Sequence, residues 1–362
     1  SGSKLYILEG TGTTLSLSSL DGMVNPGSSL TSNVVISSAS ASDYIPLSMN
    51  KGALILDRNI NLDSNNELYK RSEFSSVKVD LTSGNSITGS QAGQIGIAQR
   101  NYENSSGQDA VKITNDGAII LTGNNATGIA SDYGHVINNS TVKTTGDKSV
   151  AIYSTNGTTT ENNGEIIIGG NSSAGIYGAN YLDGINSSAV LKYGNDKIDI
   201  SNNNRIVSEG NGKVYGIYAD NKYMSRNDSV ITLGSGSDIN LSSSNGGVGI
   251  YSNNSVLTGE GSLSVGNSGV GIYAKDSDVN LNNFTLNLNG DKALGFYLDG
   301  NTNFAGNGNI NINGKDILVF NINSNGTFTN DFVINSASGS SYTLGNVINN
   351  TFRYTGNASL AG

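Results

Sequence analysis

An all-β chain wound as a right-handed parallel β-helix (a β-solenoid), with about 22–24 residues and three strands per coil, is the fold that three observations predict. The first is a recurring phrase. "GVGIYSNNSV" begins at Gly247 and "GVGIYAKDSDV" at Gly269, and the same phrase is written around Tyr153, Tyr177, Tyr218 and Tyr297. Weaker echoes run from Gly96 to Asn101, Ala126 to Asp132 and Asp316 to Asn323. The second is the interval. Tyr153 to Tyr177 is 24 residues, Tyr251 to Tyr273 is 22 and Tyr273 to Tyr297 is 24, with Ala130 preceding and Phe320 continuing the series at 23. The third is the pattern inside one period. Ser252 to Tyr273 holds "SVL", "GSLSV" and "GVGIY", three short runs that alternate apolar with polar and carry no helical spacing.

Between the runs lie Asn-Gly, Gly-Asp and Ser-Gly pairs, which supply the positive φ of a tight corner. Leucine-rich repeats share this period but need a fixed leucine consensus that the chain lacks. The composition suits a solenoid. Every strand donates to the coils above and below, so proline is excluded; the two prolines, Pro26 and Pro46, precede the regular repeats. Asparagines at equivalent corners are expected to stack as amide ladders. Ile176, Ile217, Ile250 and Ile272 should point inward, and Tyr177, Tyr218, Tyr251 and Tyr273 outward as an aromatic row. About fifteen coils would make a rod roughly 70 Å long.

Taken in chain order, residues 1–90 read as irregular N-terminal coils or a cap. "SNNELYKRSEF" (Ser64 to Phe74) has a capping-box spacing for a short helix, and the segment shields an edge that would otherwise invite aggregation. Residues 91–362 read as the regular β-helix. Three insertions leave the same corner of different coils: about Gln99 to Gln108, about Gly178 to Asp196 and about Ala219 to Asp228. They concentrate tyrosine and basic residues, namely Arg100, Tyr102, Tyr181, Lys192, Tyr193, Lys222, Tyr223 and Arg226. Loops on a rigid scaffold carry recognition, and tyrosine and arginine are favoured at binding hot spots, so these eight are the candidate ligand-binding residues. The plain alternative is a set of tolerated surface insertions.

Other functions are excluded by what is missing. A net charge of −9 argues against a nucleic-acid partner. Zero cysteine removes disulfides and thiolate zinc, and suits a chain that crosses a membrane unfolded. No apolar run is long enough to span a bilayer as a helix, and no signal peptide is present, so the chain reads as a fragment or mature segment of something larger. The single histidine, His135, has no triad around it in sequence. Asp276 with Asp278, and Asp196 with Asp199, are the only carboxylate pairs weighed for glycoside cleavage, and aspartate is also an ordinary corner residue. Neither an EF-hand loop nor the nonapeptide of calcium β-rolls occurs. No enzymatic activity and no cofactor are expected.

Coils of the type "NNGEIIIGGNSSAGIY", with recurring "GIYG", "GIYA" and "GIYS", resemble the passenger domains of large fusobacterial type V autotransporter adhesins, the RadD-like family. The resemblance covers about residues 90 to 360. It implies a cell-surface, outer-membrane protein whose β-helical passenger is exported through a C-terminal β-barrel absent from this chain. It also implies partners that are surface proteins or glycans of other bacteria or host cells. No binding motif of the family maps onto this sequence residue by residue. The function expected is attachment through loops and aromatic residues on one edge of the rod. A passive stalk and a tailspike-like glycan hydrolase are the alternatives.

Overall fold

The computed structural model describes residues 5–9, 14–16, 34–37, 47–63, 72–100, 112–180, 197–348, 350–351, 354 and 357–359. They form a parallel β-solenoid of about 11 turns. Among the described residues the one helical element is a 3-10 turn at Arg226–Asp228. The short helix expected from Ser64 falls largely outside the described residues, as do Pro26 and Pro46; Ser72–Leu81 is strand.

Each regular coil presents three faces. Face 1 is built from the repeated phrase: Thr127–Asp132 pairs with Val150–Thr155, which pairs with Ser173–Ala179, then Val214–Asp220, Val248–Asn253, Val270–Lys275, Leu294–Gly300 and Ile317–Ser324. Face 2 starts with Lys112–Asn115, His135–Asn138 and Thr159–Asn162, and face 3 with Ser86–Gly89, Ala118–Leu121 and Thr141–Thr144. All of these pairs are parallel. At the N-terminal edge Val34–Ser37 runs antiparallel to Leu5–Glu9, which in turn pairs with Leu47–Leu56 in parallel.

The register confirms the inward column. Ile152, Ile176, Ile217, Ile250 and Ile272 are directly paired and fully buried. The glycine before each of the last four isoleucines lies where a neighbouring coil passes: a Cβ on Gly271 would sit 2.5 Å from the carbonyl oxygen of Gly295. Left-handed φ recurs at the corner after face 1, at Asn156 (41°), Asn254 (51°), Asp276 (49°) and Gly300 (64°). Those are residue types that tolerate it.

Three expectations change. Phe320 does not continue the tyrosine row; it pairs with Phe296 in the buried isoleucine column, and Asn321 stands opposite Tyr297. A slip of one residue along a strand moves a side chain to the other face. The coils number about 11 rather than fifteen. The corner between faces 2 and 3 is also not always a turn. Val256–Val265 runs through both faces as one strand, bending where the register shifts between Gly259 (φ 130°) and Gly261 (φ 101°). Asp278–Leu288, Asn303–Ile312 and Phe328–Ser336 run through both faces likewise.

Candidate functional site

The outward side of face 1 is the most distinctive surface. Six tyrosines, Tyr153, Tyr177, Tyr218, Tyr251, Tyr273 and Tyr297, stack in an unbroken row with ring centroids 4.5–5.2 Å apart. The ladder follows from the fold. In-register parallel strands place identical side chains one coil apart, about 4.8 Å, which is the distance at which offset aromatic rings attract. Interplanar angles of 4–22° keep each ring against its neighbours, so interior rings turn their edges and phenol groups outward.

Two further columns run beside the ladder. Three residues before each of the last four tyrosines stands a half-buried side chain: Val248, Val270 and Leu294, and Tyr215, which packs edge-on against Tyr218 at 5.4 Å. Two residues after each of the last four tyrosines stands a polar group: Asp220, Asn253, Lys275 and Asp299. Asn253 donates to Asp220 Oδ1 at 2.8 Å, and Asn323 in the next coil donates to Asp299 Oδ1 at 3.0 Å. Burial first, then these carboxylates and the neighbouring phenols, push the pKa values of three ladder tyrosines upward. Tyr218 and Tyr251 shift upward, and Tyr273 is pushed up to about 12. These three phenols therefore stay protonated, as donors, across the physiological range.

The candidate binding residues fall into two groups. Arg100 ends the face 1 strand Ile95–Arg100, opposite Asp132. Tyr102, Tyr181, Lys192 and Tyr193 lie outside the described residues. The flanking strands place all three insertions between faces 1 and 2, at one corner. In the third insertion Lys222 Nζ sits 4.5 Å above the Tyr223 ring, a cation–π pair, and Tyr223 is 43% exposed. Lys222 also acts on the Tyr251 phenol as a nearby positive charge, so the loop stands beside the ladder. Arg226 is held by the chain itself. It donates to Asp278 Oδ1 at 2.6 Å and to the carbonyl of Asn301 at 2.9 Å, strapping the loop across later coils.

Of the residues that could serve catalysis, His135, Asp276 and Asp278 have structural partners. His135 Nε2 lies 2.9 Å from Glu161 Oε1 on the next coil. Asp276 is a corner residue rather than a strand neighbour of Asp278, and it accepts the backbone N–H of Asn301 at 2.9 Å. Asp278 accepts from Arg226 and from Asn303. Asp199 lies in strand Ile198–Asn202 with its pKa pushed up by burial, and Asp196 is outside the described residues. Among the described residues no group of three or more His, Cys, Asp or Glu could hold a metal ion.

Sequence reading found the tyrosine row but missed the flanking columns, whose signal is their fixed offset of three before and two after each of the last four tyrosines. Residues 85–294, more than half of the chain, match the family model described as the BigA third pectate lyase-like domain. No curated protein and no solved structure matches the chain.

Proposed function

This chain belongs to the BigA third pectate lyase-like domain family, and from that premise we propose that it is a passenger segment of a bacterial autotransporter adhesin that attaches cells through face 1 and the corner beside it. BigA is an autotransporter adhesin, and a cysteine-free parallel β-solenoid fits a passenger displayed on the bacterial surface. The observation that carries the attachment role is the meeting of an outward tyrosine ladder with the Lys222–Tyr223 loop on one edge of a rigid rod. Rigid aromatic groups offer contact area at little cost in conformational entropy, and repetition along the rod makes the contact multivalent. The partner would be a surface protein or glycan of another bacterium or of a host cell. RadD-like proteins, a C-terminal outer-membrane barrel and coaggregation belong to this proposal through sequence resemblance. The role is binding rather than chemistry, because the carboxylates weighed as catalysts whose partners are described bond to neighbouring coils.

The test is adhesion of the purified chain to partner bacteria and to host cells, compared with Lys222→Ala/Tyr223→Ala and with Val270→Asp. Both variants should lose most binding while keeping the strand-rich circular dichroism of the parent. Undiminished binding by both folded variants would reject face 1 as the contact surface. Absence of binding by the parent chain itself would favour a passive stalk.

A further inference from the structure

We propose that the ligand of face 1 is a linear, uncharged glycan lying along the rod axis, one sugar per coil. The inference rests on the attachment role proposed above and names the chemistry that this surface recognises. From strand Val214–Asp220 to strand Ile317–Ser324 every coil offers the same unit: an apolar side chain (Tyr215 in the first coil), then a phenol, then a hydrogen-bonding group. In the last of these coils Asn321 replaces the phenol.

Three arguments select the ligand. The first is periodicity. The units repeat every 4.7–4.9 Å or so, the spacing of paired strands. An extended peptide advances by roughly 3.3–3.4 Å per residue and falls out of step with them. An extended β-linked hexose chain advances by roughly one coil step per sugar, so each sugar meets an equivalent unit. The second is area. Five ladder steps by a strand width of five residues give a strip of about 400 Å². A stable protein partner needs about 800 Å² on each side, so the strip alone is small for a protein and ample for a single-file chain. The third is the mix of groups. Ladder rings face one another, so a sugar lying along the row meets ring edges and phenol donors. The apolar column of Val248, Val270 and Leu294 flanks the row on one side, and the column of Asn253, Lys275 and Asp299 offers hydrogen-bonding groups to the hydroxyls on the other. Asp220 and Asp299 outnumber Lys275 in the polar column, and the chain carries a net charge of −9, so a polyuronate would be repelled.

The experiment is calorimetric titration of the full chain with cellohexaose, chitohexaose, their trimers and a galacturonate hexamer. At least one uncharged hexamer should bind, roughly tenfold or more tighter than its trimer, with the galacturonate hexamer weaker. Tyr251→Phe/Tyr273→Phe keeps the rings and removes two donors. That variant and Asn253→Ala/Lys275→Ala should each weaken binding about tenfold without altering the melting curve by more than the folded parent's scatter. Equal or tighter binding of the galacturonate hexamer overturns the charge argument. A hexamer no better than a trimer overturns the one-sugar-per-coil register. No saturable binding by either uncharged hexamer, with cell adhesion intact and still sensitive to Val270→Asp, rejects the glycan while leaving the attachment role in place. Loss of cell adhesion altogether strikes the attachment role instead.

Discussion

The stretch from Lys112 to Leu241 and the stretch from Val256 to Ser336 wind the same solenoid in two different ways. In the first, the interior is partly polar. Asn115, Asn138, Asn162 and Asn202 are fully buried at the corner between faces 2 and 3, and each donates to the next at 2.7–2.8 Å, the last donating to Ser237 Oγ at 2.7 Å. Ser154 and Thr160 share a buried hydrogen bond nearby. In the second stretch that corner is a bend within one continuous strand, at glycines in Val256–Val265 and Asn303–Ile312 and at asparagines in Asp278–Leu288, and phenylalanines fill the interior. Phe296 stacks on Phe320 at 5.2 Å, meets Phe304 edge-on at 5.0 Å and lies 5.6 Å from Phe332. The difference shows that the coil-to-coil backbone ladder sets the rise, while side chains only choose how each coil is closed. A ladder of asparagines closes it with directional bonds, which fix register. A phenylalanine cluster closes it with area, which supplies more energy and less direction.

The most damaging change should therefore lie in the second stretch. Phe296→Ala removes the hub of the cluster, and a phenylalanine truncation in a close-packed interior costs about 3–5 kcal/mol. Urea denaturation should show that loss with the slope unchanged; a loss under about 1 kcal/mol would mean that the interior collapses around the gap. In the first stretch, Asn138→Ala strands the donor of Asn115 and the acceptor of Asn162. Two unsatisfied buried groups cost about 2–4 kcal/mol together. The contrast sharpens with a fourfold change. Leu81 and Leu233 already occupy this column on either side of the ladder, and Asn115 Oδ1, facing the Leu81 end, has no hydrogen-bond partner. Replacing all four asparagines by leucine removes the polar groups together and should cost less than Asn138→Ala alone. A fourfold variant that melts lower than the single one would show that leucine cannot fill the coil.

What could be read from the sequence divides along the same line. The period, the inward isoleucines and the outward tyrosines are local properties of a strand, so alternation around Ile250 and Tyr251 was enough to assign them. The asparagine ladder followed from corners repeating at a fixed interval. Phe320 was misassigned because both Phe320 and Tyr297 are aromatic and sit 23 residues apart, whereas the true partner of Tyr297 is Asn321. The bend at Gly259 and Gly261 was read as a turn, since Gly-x-Gly looks the same in both settings. Arg226 is a candidate binding residue by its place in an insertion, and only the stacking of coils reveals that its guanidinium reaches Asp278, 52 residues away. Contacts between coils depend on register, and register is not a property of any one segment.

The tyrosine ladder crosses both stretches, so it offers a smaller and more local comparison. Tyr251→Ala removes two stacked contacts, at 4.5 Å to Tyr218 and 5.2 Å to Tyr273. Such pairs contribute about 0.5–1.5 kcal/mol each, so the loss should be about 1–3 kcal/mol, below that of Phe296→Ala. Tyr251→Phe keeps the rings and should fall within about 0.5 kcal/mol of the parent. If the two substitutions cost the same, the phenol rather than the ring is what stabilises the row.

The smallest effect is a dependence on pH, and its sign is fixed by the ladder. Tyr273 is raised from an ordinary phenol value of 10.0 to about 12, by burial first and by Asp299 next. Below pH 10 or so neither folded nor unfolded chain has lost this proton, and stability is indifferent to it. As pH climbs toward about 12 the unfolded chain releases a proton that the folded ladder retains, so stability falls. Tyr218 and Tyr251 are displaced in the same direction and add to the decline. Asp63 works at the other extreme. The Ser90 hydroxyl and N–H hold its carboxyl at about 2, so its contribution is present above the ordinary value of 3.8 and is lost as pH falls toward about 2. That carboxyl is only partly buried, at the surface of the rod, which leaves the acid effect the weaker of the two. Melting temperatures measured from about pH 8 to pH 11 should decline at the alkaline end in the parent and decline less in Tyr251→Phe/Tyr273→Phe. An alkaline decline of equal steepness in both proteins would place its origin in groups other than the stacked phenols.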